Sequence, residues 1–330
     1  MVVAQIAYNH LDPAVKAKCD ALIAVSLPPY DSPKTSNFVT AAVWADDFKS
    51  SLGTGNSHFI DIPISLDGYP TNGVNNNSAN VVLAIRQEIS TLQNNNATQA
   101  DQATALRYLI HFVGDIQQPM HCSTGVSTNN HSGDSGGNGF SLTGTWSNLH
   151  SLWDDGGGSL PDSLTRPLNA TDQATLNTKV AAIEADYPYS FSVGGIPDPM
   201  DWATESHGLA ATIAYVGITN GTTPTASYVA LAQSTAEQRV AIGGQRLAKL
   251  LNTIFVTNAP SVISLALTNT NFGFTWSSVS GRTYRVQWKQ QITDPTWTDL
   301  ADVTASTNLT SFTTNSIAPP QRLFRAIVVN

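Results

Sequence analysis

A mainly α chain closed by a small all-β, sandwich-like domain is what this sequence predicts, and three observations carry it. Apolar residues recur at helical spacing through 2–25, 38–50, 79–93, 100–116, 171–187, 200–217 and 232–254. After Phe255 the period falls to two, in Phe272-Gly-Phe-Thr-Trp276, Tyr284-Arg-Val-Gln-Trp288 and Leu323-Phe-Arg-Ala-Ile-Val-Val, with turn signals at Gly281, Asp294-Pro295 and Pro319-Pro320. At 330 residues the chain is long enough for two domains and a substantial core. The expected division is a helical domain at 1–255, a linker at 256–264 and a β-module at 265–330.

Met1-Val-Val-Ala-Gln-Ile-Ala-Tyr opens inside an amphipathic helix with no capping residue ahead of it, so a preceding segment is expected to be missing. It has no basic stretch followed by a long apolar core, so no signal peptide is read here. Pro13 and Pro33 mark helix starts, and Asp101 stands where an N-cap would. Between His121 and His150 the chain is Ser, Thr, Asn and Gly almost throughout, which reads as a long functional loop or loose hairpin. The β-module holds no His and no Cys, and reads as an accessory unit for attachment, secretion or stability. Trp276, Trp288 and Trp297 admit carbohydrate binding, but core tryptophans of a sandwich are the preferred reading.

Charged residues make up 12% of the chain, about half the ~25% usual in globular proteins. Ser, Thr, Asn, Gln and Gly supply the surface instead, a bias shared with secreted bacterial proteins. The net charge of −8 argues against a basic nucleic-acid footprint. Carboxylates that hold cations would reverse that field locally. Cys19 and Cys122 are read as two free thiols, since neither spacing nor context demands a bridge. No apolar run is long enough to span a membrane. A monomer is expected.

The chemistry concentrates in His111-Phe-Val-Gly-Asp115-Ile-Gln-Gln-Pro-Met-His121 and Asn148-Leu-His150-Ser-Leu-Trp-Asp154. Each contains His-x-x-x-Asp, and residues four apart on a helix share a face, so imidazole and carboxylate converge. Convergent nitrogen and oxygen donors are what zinc binds, at about 2.0–2.2 Å. Upstream stand Trp44-Ala-Asp46 and Ser57-His58-Phe59-Ile-Asp61, and a Gly136-Gly-Asn138 loop lies between the two His-x-x-x-Asp segments.

Those five segments, in that order, resemble the zinc-dependent single-strand-specific nucleases (the nuclease S-one/P-one and mung bean nuclease type). The closing Ile242-Gly-Gly-Gln-Arg-Leu-Ala248 matches as well, so the resemblance covers about residues 1–254. It implies a first zinc on Asp46, His58, His111 and Asp115, and a second on His121, His150 and Asp154. A third zinc of the family uses an N-terminal Trp, a nearby His and a share of the carboxylate matching Asp115. The opening Trp-Gly-x-x-Gly-His is absent here, so ligands for two sites are present and the third lacks its main donors. By the same resemblance Asp61 orients the attacking water, Asp115 bridges two metals, Phe59 stacks a base and Asn138 touches phosphate, although an Asn in a Gly-rich turn also serves the backbone. His10, His131 and His207 match no ligand position, and His131 is expected to be solvated.

The resemblance implies a secreted or periplasmic phosphodiesterase of endonuclease type. It would cut single-stranded DNA or RNA, or small phosphodiesters, to 5′-phosphorylated products, with turnover weakened by the missing ligands. Two alternatives stand beside it. A phospholipase C or broad phosphoesterase shares the metal arrangement, but the phospholipases close their last motif with His-x-x-x-Glu, where this chain has His150 and Asp154. An inactive metal-binding or adhesive protein, working through its β-module, is the other.

Overall fold

A computed structural model describes residues 1–330 except 75–76, 95, 162, 191–197, 256–261, 269–270, 279–280, 316–321 and 330. The chain divides into two compact units, Met1–Ile254 and Phe255–Asn330.

The first unit is helical. Helix α1 (Val2–Asn9) and α2 (Pro13–Ile23) divide the apolar run at 2–25, and α2 starts at Pro13 as expected, because Pro13 lacks an amide N–H and fits only the first turn of a helix. The 38–50 run is likewise two helices, α3 (Phe38–Ala41), capped by Asn37, and α4 (Trp44–Leu52), ended by Gly53 at φ 68°. Helix α5 (Val81–Gln93) starts at Asn80, whose side chain accepts the Leu83 amide. Helix α6 (Gln99–Asp115) is capped by Thr98 rather than by Asp101. Asp101 instead occupies the third helical position, and its carboxylate reaches back to the Thr98 amide. Helix α7 (Leu149–Asp154), α8 (Ala170–Asp186), α9 (Pro199–Leu209) and α10 (Ala226–Phe255) complete the set, with α9 running into a π-helical turn at Ala210–Ala214.

Helix α6 is the axis of the core. Ala105, Leu106, Leu109, Ile110, Phe112 and Val113 are fully buried along it, with Trp44 packing edge-on against Tyr108. A helix apolar on nearly all sides cannot tolerate much movement, so whatever its last turn carries is held rigidly. Helix α10 approaches α1 closely at Gly244, where any Cβ would overlap Ile6.

Two short strands, β1 (Pro63–Ser65) and β2 (Thr124–Val126), pair in parallel. The polar 121–150 segment that β2 begins is more ordered than a loose loop. Buried Asp134 accepts the amides of Gly125 (2.8 Å) and Gly137 (2.9 Å) and the Tyr215 hydroxyl (2.8 Å), tying the segment to itself and to the first unit's core. Cys19 and Cys122 are buried free thiols, and no helix among the described residues is long and apolar enough to cross a membrane.

The second unit holds two three-stranded antiparallel sheets. One runs β3 (Val262–Leu267), β4 (Asn271–Ser277), β7 (Leu309–Asn315), and the other β6 (Thr298–Thr304), β5 (Thr283–Lys289), β8 (Leu323–Val329). Val262–Ser264, read from sequence as linker, belong to β3. Phe274, Trp276, Tyr284, Val286 and Ala326 form the core. Trp276 is thus a core tryptophan, but Trp288 and Trp297 are only partly buried.

On α5, burial raises the Glu88 carboxyl from 4.5 to about 7. A carboxyl held above its unfolded value binds its proton more tightly when folded, so stability is lost as pH climbs from about 4.5 through 7. Glu88→Gln cannot ionise. Its melting temperature should match the parent near pH 4 and exceed it at pH 8, by an advantage of about 1–3 kcal/mol. A gap that does not widen with pH would contradict this account.

Candidate metal centre

Five segments deliver seven donor side chains to one cavity of about 460 Å³. The last turn of α6 carries His111 and Asp115, and the first turn of α4 carries Asp46. A 3₁₀ turn at Gly55–His58 ends on His58, and another at Pro119–Cys122, entered through Pro119, presents His121. The short helix α7 places His150 and Asp154 one turn apart. The parallel pairing of β1 and β2 continues back toward the centre, with the Ile60 amide donating to the His121 carbonyl (2.8 Å). That ladder sets His58 beside His121.

Two clusters result. In the first, Asp115 Oδ2 lies 3.0 Å from both His58 Nδ1 and His111 Nε2, and Asp46 Oδ1 lies 3.8 Å from each ring. In the second, Asp154 stands 3.3 Å from His121 Nε2 and 3.3 Å from His150 Nε2, while the two rings stack at 4.9 Å. The other oxygen of Asp115 is 3.9 Å from His121 Nδ1, the ring nitrogen that faces the His58 carbonyl and not the Nε2 beside Asp154.

Backbone carbonyls fix the histidine tautomers. His111 Nδ1 faces the Ala42 carbonyl (2.5 Å), His121 Nδ1 that of His58 (2.9 Å) and His150 Nδ1 that of Gly136 (2.7 Å). A carbonyl only accepts, so each of these nitrogens carries the proton. Each neutral ring then points the bare lone pair of Nε2 at carboxylate oxygen, an arrangement that repels itself unless a cation lies between. The donor sets, nitrogen and carboxylate oxygen three or four at a time, suit zinc.

The electrostatics agree. Burial would lower the His121 ring, yet Asp115 and Asp154 hold it up at about 9. Burial would likewise lower His111 and raise Asp115, but their mutual attraction wins, lifting the ring and depressing the carboxyl. His150 is pushed down by burial and by His121.

The other residues singled out from sequence lie outside this cavity. Phe59 follows His58 in extended backbone, half-buried, its carbonyl accepting the Val81 amide (3.1 Å). Asp61 is partly buried, its carboxyl raised by burial and by Asp134. Asn138 is exposed, and its amide donates to the Ser135 carbonyl (2.8 Å), which closes the turn. His10 pairs with Glu184 (2.7 Å) and His207 with Ser123 (3.2 Å). His131 is not simply solvated, because its ring stacks on Tyr69 at 4.2 Å.

Sequence reasoning missed the supports. Gln118 donates to Asp154 (2.8 Å) and holds the carboxylate toward the rings. Beneath the cavity, buried Gln117 accepts from Arg239 (2.6 Å) and Arg246 (3.0 Å), and both arginines pair with Glu205. Gly136 has φ 64°, and any Cβ there would overlap the Met120 carbonyl. Gln117, Gln118, Gly136 and Arg246 fall inside the motif segments, the one signal that pointed to them; Arg239, Glu205 and the Ala42 carbonyl left none.

About two zinc ions per chain are expected by elemental analysis. His111→Ala and His150→Ala should each remove one, and each should lower the melting temperature in zinc, because an ion that binds only the folded state stabilises it. His207→Ala should change neither. Equal losses in all three variants would mean that the two clusters are not the metal sites.

Residues 1–256 match the family model described as S1/P1 nuclease. Nuclease P1 of Penicillium citrinum is 27% identical over 281 residues, covering 76% of this chain and 94% of that protein. Nuclease S1 of Aspergillus oryzae is 26% identical over 246 residues, covering 67% of this chain and 80% of that protein. Among solved structures, an alpha toxin from Clostridium absonum is a distant likeness, with TM-score 0.40 and 10% identity over 100% of this chain and 81% of the toxin. With the family match spanning the whole helical unit, the chain belongs to the S1/P1 nuclease family.

Proposed function

We propose that this nuclease is a zinc-dependent phosphodiesterase that cuts single-stranded DNA or RNA and leaves 5′-phosphates. The observation that supports the reading is the pair of donor clusters in one cavity, Asp46, His58 and His111 beside Asp115 in one and His121, His150 and Asp154 in the other. Clusters so placed would hold two cations in one cavity, an arrangement that suits in-line phosphoryl displacement.

Zinc in these clusters would polarise phosphoryl oxygens and supply water in a more acidic form. The chain's own residues do the rest. His111, His121 and His150 keep their protons on Nδ1, against carbonyls, and so stay committed as donors. Asp61 is assigned the attacking water, from the family likeness and its position three residues beyond His58. Its carboxylate would accept the water's proton as oxygen adds to phosphorus; the bond to O3′ breaks, and O3′ takes a proton from solvent, leaving a 3′-hydroxyl and a 5′-phosphate. Phe59, next to His58, is assigned a base, which must leave any stack to lie on it.

Single-stranded oligonucleotide should therefore be cut well ahead of duplex. Phe59→Ala should cost about 1–3 kcal/mol on oligonucleotide, roughly 5- to 150-fold in kcat/KM, while sparing bis(p-nitrophenyl) phosphate, which has no base. Asp61→Asn should lower kcat on both substrates at unchanged zinc content. If Phe59→Ala impairs both substrates equally, the stacking assignment is wrong; if Asp61→Asn is silent, another group handles the water.

A further inference from the structure

The second unit carries charge opposite to the first. Residues 255–330 hold five basic and three acidic residues, a net of +2, against −10 for residues 1–254. All three acids are engaged. Asp299 and Asp302 pair with Arg285, at 3.1 and 2.8 Å, and the Asp294 carboxylate accepts the amides of Gln290 (3.2 Å) and Gln291 (2.8 Å). Among the described residues Lys289, Arg322 and Arg325 therefore have no carboxylate partner. They gather at one end of the β6-β5-β8 sheet, where register sets Trp288 opposite Thr298 on one side and Phe324 on the other. There the Arg322 guanidinium lies 4.4 Å from the centre of the Trp288 ring, and Arg325 (4.3 Å) and Lys289 (4.9 Å) lie against Trp297. Both indoles are partly exposed, and Arg325 is exposed. Lys289 also holds the β5–β6 connection, donating to the carbonyls of Ile292 (2.6 Å) and Asp294 (3.2 Å).

We infer that this sheet end is a second binding surface for single-stranded nucleic acid, resting on the substrate reading above. Three cations without acids match a polyanion in sign. Indoles interleaved with them match a strand that alternates phosphate with flat bases. An acidic polysaccharide could use the charge and stack its sugars on the indoles, but a single strand is also what the helical unit would cut, so one ligand would serve both units. A strand held on this unit raises the local concentration of bonds for the helical unit to cut. Long substrates gain from this, and short ones do not.

The test uses the full, zinc-loaded chain with Arg322→Gln/Arg325→Gln, which removes two charges and leaves Lys289 on its loop. Kinetics are measured on long oligo(dT) and on the dinucleotide TpT. Fluorescence anisotropy of a labelled phosphorothioate oligo(dT) follows binding over a range of salt. The variant should raise KM for long oligo(dT) about tenfold, keep kcat, and leave TpT unchanged. Its binding should weaken about as much, and its salt slope should fall by ~0.7 for each phosphate that is no longer neutralised. If affinity and slope match the parent, the cation–indole pairs are packing only and the inference fails. Loss of phosphatidylserine-vesicle binding with oligonucleotide binding intact would name a membrane instead, and also overturns it. Should the double variant melt lower, the single variants Arg322→Gln and Arg325→Gln are read in its place. If the parent cleaves neither substrate yet binds oligo(dT) and the variant does not, the second surface stands and the catalytic reading falls.

Discussion

The carbonyls of Ala42, His58 and Gly136 each accept a hydrogen bond from a histidine ring, and the candidate metal centre depends on these three hydrogen bonds. A free imidazole presents either nitrogen; one tied to a carbonyl presents a lone pair in a set direction. Each carbonyl belongs to a segment with another duty. Ala42 joins α3 to α4, His58 is itself a donor, and Gly136 lies in the turn that Asp134 anchors. The centre is therefore the junction at which the loops of the helical unit are fixed. A change in the 121–150 segment would reach His150 through Gly136, although nothing between His121 and His150 itself holds a cation in the two clusters.

This arrangement explains what could be read in the sequence. His111 with Asp115, and His150 with Asp154, are one helical turn apart, so their convergence follows from local periodicity alone. That His58 joins His111 does not. It needs the β1–β2 pairing, a long-range contact between two three-residue strands too short to leave an alternating pattern. The motif order supplied what periodicity lacked. The helices were legible by their apolar spacing, but their ends were not, because ends are decided by single residues. Pro13 marks the start of α2 as its chemistry requires, but Thr98 takes the cap that Asp101 seemed to offer, since either oxygen can satisfy the first free amides.

Asp134 marks where such reading stops. In sequence it is one acid in a polar stretch. In the fold it is buried, accepts two amides and a tyrosine hydroxyl, and stands close enough to Asp61 to raise that carboxyl. Its partners are spread along the chain from Asp61 to Tyr215, so no local pattern could have found it. The tryptophans of the second unit show the same limit from the other side. Period two places Trp276 and Trp288 on the core face of their strands, yet only Trp276 is covered. Trp288 sits near the end of β5, with the Arg322 guanidinium against its ring.

The distribution of charge now has a physical reading. The helical unit is strongly acidic, and a nucleic acid is a polyanion, so at a distance the two repel. Close in, Asp46, Asp115 and Asp154 are the acids that two zinc ions would neutralise and overcome, turning the cavity attractive over a few ångströms. Screening confines that reversal to roughly 8–10 Å at ordinary ionic strength. Phosphates further along the strand would still meet an acidic surface. An enzyme built this way gains little from substrate length unless another part of the chain offers positive charge. The second unit, whose net charge is positive, has the sign that role demands.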